Sequence, residues 1–260
     1  MTCTKCKTPK KLPVNITMAF QPIVNLDSFT VHGYEALVRQ TDGQGAASVF
    51  DAVPYEDLYW LDQSCRVKAI ELAAKLNLQG FLSINFMPNA VYEPSRCIKT
   101  TLNTAKAVGF PTDRIIFEFT EDESVLNPDH VINIINDYRS RGFQTAIDDF
   151  GAGYSGIKLL CDVHTDAVKM DRALIKGIDK DARRLGIVTD TRALLNSVTN
   201  YIVVEGVETA EELKVLYNLG FRYFQGFYLA KPGFEHLPEV DFDAIKALLL
   251  PTEASAVSSA

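Results

Sequence analysis

Short apolar runs alternate with longer amphipathic segments along most of the chain. Runs at Met18–Leu26, Thr30–Val38, Phe81–Phe86, Arg114–Phe119, Gln144–Ile147, Ala167–Lys169, Tyr201–Val204 and Tyr223–Phe224 have the length and the β-branched and aromatic content of strands. Between and after them, helical spacing predicts helices at Leu58–Leu76, Pro94–Val108, Asp129–Arg141, Ile157–Leu160, Ala182–Ser197, Ala210–Leu219 and Phe242–Leu249. Strands separated by helical segments read as βαβ units and therefore as a parallel sheet. About eight of them in one domain predict closure into a TIM-like (β/α)8 barrel of the α/β class. The opening departs from this rule: only a short turn containing Asp27 and Ser28 separates the first two strands, so this pair reads as an antiparallel hairpin.

The ends of the chain break the pattern. Residues 1–15, MTCTKCKTPKKLPVN, are basic and polar and read as a flexible arm; residues 251–260, PTEASAVSSA, read as a disordered tail, leaving 16–250 as one domain. No apolar run reaches the roughly 18 residues that span a bilayer, and no apolar stretch follows the basic N-terminal residues, so a cytoplasmic protein without a membrane anchor is expected. Cys3, Cys6, Cys65, Cys97 and Cys161 are odd in number and scattered, which fits reduced thiols. Cys3 and Cys6 supply half of a tetrahedral zinc set, with Cys161 and His164 or a second chain as candidates for the rest, against a reading as two free thiols on the arm. The formal net charge of −7 argues against DNA binding or any general polyanion surface.

Against that acidic background, the carboxylates and amides gather at the carboxyl ends of the expected strands, where parallel barrels build active sites. Glu35, Asn85, Glu118, Asp148 with Asp149, Lys169 with Asp171, and Glu205 with Glu208 all fall there. Each alone reads more readily as a helix cap or a solvated charge than as a ligand. Together, and flanked by apolar residues in IIFEFTE and AIDDFG, they need a compensating cation if buried. Oxygen donors without histidine suit Mg²⁺ or Mn²⁺. Asp148 and Asp149 can both turn to the rim where the strand ends, one bridging two metals, or they can cap the following helix. Gly151–Gly156, GAGYSG, reads as a loop approaching a ligand or simply as a tight turn.

The motifs QPI at Gln21, EALVR at Glu35–Arg39, INF at Asn85, FEFTE at Phe117–Glu121, DDFGAGYSG at Asp148–Gly156, VKMD at Val168–Asp171, EGVET at Glu205–Thr209 and QGFYLAKP at Gln225–Pro232 occur in one chain, in order. In these the sequence resembles the EAL-domain family of cyclic di-GMP phosphodiesterases. The resemblance implies a barrel whose first strand is antiparallel, and two divalent metal ions, Mg²⁺ or Mn²⁺. It assigns Glu35, Asn85, Glu118 and Asp148 to one ion and Asp148, Asp149 and Glu205 to the other. Lys169 would contact the hydrolytic water, Glu205 would act as ligand or general base, and Glu208 would anchor the loop after Asp149. Gln21, Leu37, Arg39, Asp171 and Gln225 would lie near the substrate, and Asp62 would either reach a guanine edge or serve as a structural cap. The implied reaction opens cyclic di-GMP to linear 5'-pGpG, in a homodimer formed through the segment after Asp149. Ala152 stands where the family's loop usually carries Thr and Met170 where Ile or Leu is common, while the stretch after Arg39 differs more. An inactive family member that only binds the nucleotide or a protein partner is the rival reading; such members lose ligands or the lysine, and this chain keeps them.

Overall fold

The computed structural model describes residues 10–120, 128–153 and 156–250. The alternating pattern folds as expected into a closed barrel. Strands β1 (Ile16–Asn25) and β2 (Thr30–Gln40) pair antiparallel, with Gln21 opposite Glu35. Parallel pairing then runs through β3 (Phe81–Asn85), β4 (Ile115–Thr120), β5 (Gln144–Phe150), β6 (Ala167–Met170), β7 (Tyr201–Val204) and β8 (Tyr223–Phe224). β8 meets β1 antiparallel at Val24 and Asn25 and closes the ring. A two-residue strand, β9 (Gly233–Phe234), adds to the far end of β1.

Helices α1 (Ala46–Ala52), α2 (Leu58–Lys75), α3 (Pro94–Val108), α4 (Pro128–Ser140), α5 (Gly156–Asp162), α6 (Arg172–Ile175), α7 (Ala182–Asn196), α8 (Ala210–Asn218) and α9 (Phe242–Leu249) complete the described fold. Side chains of Asp181, Thr209 and Asp241 cap α7, α8 and α9 by accepting from backbone N–H groups of the first turn. None of the helices among the described residues is long and apolar enough to cross a membrane.

Period-two alternation sorts each strand between two environments. In β4, Ile115, Phe117 and Phe119 face the helices and join the main core with Tyr138 and Phe143, whereas Ile116 and Glu118 line the barrel interior. The same parity puts Ala167 and Lys169 inside and Val168 and Met170 outside. The lower interior is a small apolar layer of Ile116, Ala146 and Ala167, with Phe81 and Tyr201 against it. Gly33 lets β2 and β3 approach: a Cβ there would sit 2.4 Å from the Phe81 carbonyl oxygen.

Every expected strand and helix is present, with ends within about two residues of expectation except in β5. That strand was expected to stop at Ile147 and continues to Phe150, because a bulge between Ile147 and Phe150 absorbs the extra residue in its pairing with β6. Sequence reading left out α1, α6 and β9. A Gly- and Gln-rich segment conceals the first, and the others are too short to show a period. Of the predicted arm, residues 10–15 are described: Lys10 Nζ lies 2.6 Å from both carboxylate oxygens of Asp57, and Leu12 and Val14 pack against Val49, Val53 and Leu61. Cys3, Cys6, Glu121, Tyr154, Ser155 and the C-terminal tail lie outside the described residues. Cys65, Cys97 and Cys161 are free thiols, as expected.

Candidate active site at the carboxyl rim

One layer above the apolar floor, carboxylates from three strands, β2, β4 and β5, and from the end of β7 converge on the Lys169 ammonium of β6. Its Nζ lies 2.7 Å from Glu205 Oε1, 2.8 Å from Glu118 Oε2, 3.0 Å from Asp148 Oδ1 and 3.2 Å from Glu35 Oε2. Lys169 and Glu118 are each 1% exposed, so these charges are held almost without water. Glu35 is fixed from two more sides: Asn85 Nδ2 donates to its Oε1 at 2.7 Å, and Gln225 Nε2 donates to its Oε2 at 2.8 Å. Gln225 Nε2 also lies 3.2 Å from Gln21 Oε1, and Gln21 Nε2 donates to the Ala230 carbonyl. Residues from β1, β2, β3 and the segment after β8 thus form one amide belt around a carboxylate.

The bulge in β5 does what two adjacent aspartates require. Asp148 keeps the interior parity of Ala146, and Asp149 adopts a left-handed backbone with φ of 55°, a conformation that aspartate tolerates better than most residues. Both side chains therefore reach the same rim. The acids form two groups in which one oxygen per residue lies within 4.8 Å of the others: Glu35, Glu118 and Asp148, and Asp148, Asp149 and Glu205. Asp148 belongs to both.

Five carboxylates facing one ammonium leave the site over-supplied with negative charge. Burial, only partly offset by Lys169, pushes the Glu118 carboxyl up to about 8. Burial and the neighbouring Asp148 charge hold Glu205 well above the usual range, and burial with Asp148 and Asp171 pushes Asp149 up to about 6. Burial alone would raise Glu35 too, but Lys169 and the amides of Gln225 and Asn85 hold it below its ordinary value. For Lys169, burial opposes the charge and the surrounding acids, led by Asp148, outweigh it, so the side chain stays protonated. Asp148 Oδ1 is buried and outside hydrogen-bond geometry despite its closeness to Nζ, and Gln225 Oε1 is buried without a partner among the described residues. Hard oxygen donors, excess negative charge and an unsatisfied buried carboxylate oxygen fit divalent cations.

The surroundings are more varied. An apolar cavity of about 260 Å³ adjoins Asn85 and is lined by Leu37, Phe50, Leu61, Asp62, Cys65 and Met87 among others. Arg39 follows Leu37 on β2 with its guanidinium donating to the Val38 carbonyl, and burial, partly countered by Glu35, lowers its proton affinity. Asp171 caps α6 through Ala173 N–H and raises Asp149, which places it beside the acids. Asp62 is engaged inside the protein: Oδ2 lies 2.8 Å from Arg66 Nε and Oδ1 accepts from Met87 N–H. The Glu208 carboxylate meets Arg172 at 2.6 Å. Trp60 of α2 stands edge-on to Tyr59 with ring centroids 4.9 Å apart.

Two arginines escaped sequence reading. Arg66 is wholly buried, donates to Tyr138 Oη at 2.7 Å and lies over the rings of Phe117, Phe86 and Tyr138. Its one signal in the sequence is an aspartate four residues earlier on the same helix. Arg172, directly after VKMD, carries no signal of its own.

The EAL domain model matches residues 13–232, most of the chain and all of the rim just described. The chain belongs to the EAL domain family. Among solved structures, this EAL domain is similar to a standalone versatile EAL protein from Vibrio cholerae O395 in its c-di-GMP-bound form, at 49% identity and a TM-score of 0.86 over 90% of this chain and 99% of that one. It is similar also to Klebsiella pneumoniae BlrP1 in a manganese and cyclic di-GMP complex, at 32% identity and a TM-score of 0.83 over 90% of this chain and 60% of that one. The cyclic di-GMP phosphodiesterase RocR of Pseudomonas aeruginosa is 32% identical over 86% of this chain and 58% of its own length. The chain spans about half the length of the curated relatives it matches. The expected barrel with an antiparallel first strand is the fold these relatives share with it.

Proposed function

We propose that this chain is a cyclic di-GMP phosphodiesterase that uses two divalent cations, Mg²⁺ or Mn²⁺, to open the ring to linear 5'-pGpG in the cytoplasm. The observation that carries the proposal is the pair of carboxylate groups sharing Asp148. Glu35, Asn85, Glu118 and Asp148 would hold one ion, and Asp148, Asp149 and Glu205 the other. Such ions acidify bound water and neutralise charge on the phosphoryl oxygens.

The chain's own residues supply the rest. Lys169 is the one cation in the cluster among the described residues; were its acids to hold metal, its Nζ would be free to orient the attacking water and to stabilise the developing charge on phosphorus-bound oxygen. Glu205 would act as a ligand of the second ion or accept a proton from that water. Water adds to one phosphorus, the bond to the ribose 3' oxygen breaks, and that oxygen takes up the proton. Arg39 suits a phosphate oxygen, Gln21, Gln225 and Asp171 flank the reacting phosphate, and Leu37 with the apolar cavity receives a guanine. Asp62, which lines that cavity while holding the Met87 amide and Arg66, would accept from the guanine edge. Glu208 anchors the loop after Asp149, and α5, with Ile157 67% exposed, supplies a homodimer contact.

The test is direct: purified protein with Mg²⁺ or Mn²⁺ converts cyclic di-GMP to pGpG. Binding without turnover across metals and pH would replace this reading with that of a nucleotide receptor.

A further inference from the structure

The two loops that supply the second carboxylate group touch a common element, α6. Its N-cap residue Asp171 donates its backbone N–H to the Phe150 carbonyl of β5 at 3.1 Å. Leu174 of α6 closes on Gly151, which has φ of 94° and where a Cβ would sit 2.3 Å from Leu174 Cδ1. On the other side Arg172 closes on Gly206, which has φ of 64° and where a Cβ would sit 2.5 Å from Arg172 Cβ. Gly151 lies two residues after Asp149 and Gly206 directly after Glu205, so α6 packs against both supporting turns at distances only glycine permits.

Arg172 adds directed bonds to this packing. Its Nη1 donates to the Gly206 carbonyl, and its Nη2 donates to Glu208 Oε2 at 2.6 Å. The planar fork thus spans the turn that begins with Glu205, gripping it by one backbone and one side-chain oxygen. The far end of that turn is braced separately, since Glu212 accepts from the backbone N–H of both Glu208 and Gly177. Among the described residues the Arg172 guanidinium bonds to Gly206 and Glu208 and to none of the Lys169 cluster, and a solvent-facing ion pair contributes little to global stability, so its geometry has a local consequence.

We propose that Arg172 is a positioning residue that holds the Glu205–Glu208 turn, and through α6 keeps Glu205 in register with Asp149, so that the second group is arranged to receive a cation. The inference rests on the two-metal reading above and extends it to a residue outside the ligand set. Outer partners of metal ligands typically govern affinity by 10–100-fold without touching the ion.

The experiment compares wild type, Arg172→Ala, Arg172→Lys and Glu208→Gln by Mn²⁺ titration, read both as the rise in melting temperature without nucleotide and as the metal dependence of pGpG formation. The expected result for Arg172→Ala is an unliganded melting temperature close to wild type, a Mn²⁺ midpoint raised roughly tenfold in both readouts, and turnover recovered at saturating Mn²⁺ with KM for cyclic di-GMP little changed. Arg172→Lys, which keeps the charge but cannot grip both oxygens, falls between. Glu208→Gln, which removes the Arg172 partner and the loop anchor together, shifts the midpoint in the same direction and at least as far. Arg172 variants with the wild-type midpoint overturn the inference, as does a loss of kcat that saturating metal does not restore. A wild type that responds to no metal sinks the phosphodiesterase reading first, and this inference with it.

Discussion

Two layers of the same barrel, one alternation apart, have opposite energetics. The floor at Ile116, Ala146 and Ala167 is apolar and nearly dry, and two residues further along the same strands stand Glu118, Asp148 and Lys169. The floor stabilises by removing hydrocarbon from water. The upper layer confines five acids around one ammonium and raises Glu118, Asp149 and Glu205 against ionisation. What the contrast teaches is that one strand can carry stability and chemistry on a single face, with an apolar lower layer supporting an upper layer over-supplied with negative charge.

The comparison breaks most visibly in the upper layer. Lys169→Ala is expected to lower kcat by roughly 10²–10³-fold, measured by pGpG formation at saturating metal, while metal binding persists. In the floor, Ile116→Ala is expected to cost about 2–5 kcal/mol of stability, measured by denaturant unfolding, and to leave kcat at low temperature near wild type. A floor variant that loses turnover while remaining folded would erase the division between the layers.

A pH series sharpens the same division. Without metal, the folded chain keeps protons on Glu118 up to about 8 and on Asp149 up to about 6, whereas the unfolded chain releases them near 4.5 and 3.8. Between those limits the folded state binds more protons, so the contribution of these groups to stability falls as pH rises. Glu35, held below its ordinary value, contributes the opposite slope at lower pH. Bound cations cancel the penalty, so the Mn²⁺-induced rise in melting temperature should be larger at pH 8 than at pH 6, and an equal rise at both would contradict the charge account. The smallest effect belongs to the cavity wall: Leu37→Ala should raise KM for cyclic di-GMP about fivefold through lost apolar contact, with kcat unchanged.

Much of this was legible along the chain, for a physical reason. A barrel strand must alternate, so IIFEF announces both the core residues Phe117 and Phe119 and an acid that faces inward. The motif spacing likewise places Asn85, Asp148, Lys169 and Glu205 at strand ends. What stayed hidden depends on backbone detail or on partners distant in sequence. The left-handed Asp149 and its bulge turn on one φ angle, which composition does not encode. Arg66 reads as a solvent residue of α2, and only the fold surrounds it with Phe86, Phe117 and Tyr138. Asp62, read as either a guanine contact or a cap, also holds that buried arginine and accepts from Met87 N–H, partners that the fold alone brings to it. Arg172 reaches its partners across 34 and 36 residues of chain, beyond any local pattern.

The central claim is that Asp148 is shared by two cation sites. Mn²⁺ titration of the metal-free protein, read by calorimetry and by the spin coupling of neighbouring ions, tests it most directly. The account predicts two ions per chain in wild type, magnetically coupled, and a severe loss of both in Asp148→Asn. A single ion in wild type, or an Asp148→Asn variant that keeps either site at wild-type affinity, would contradict it.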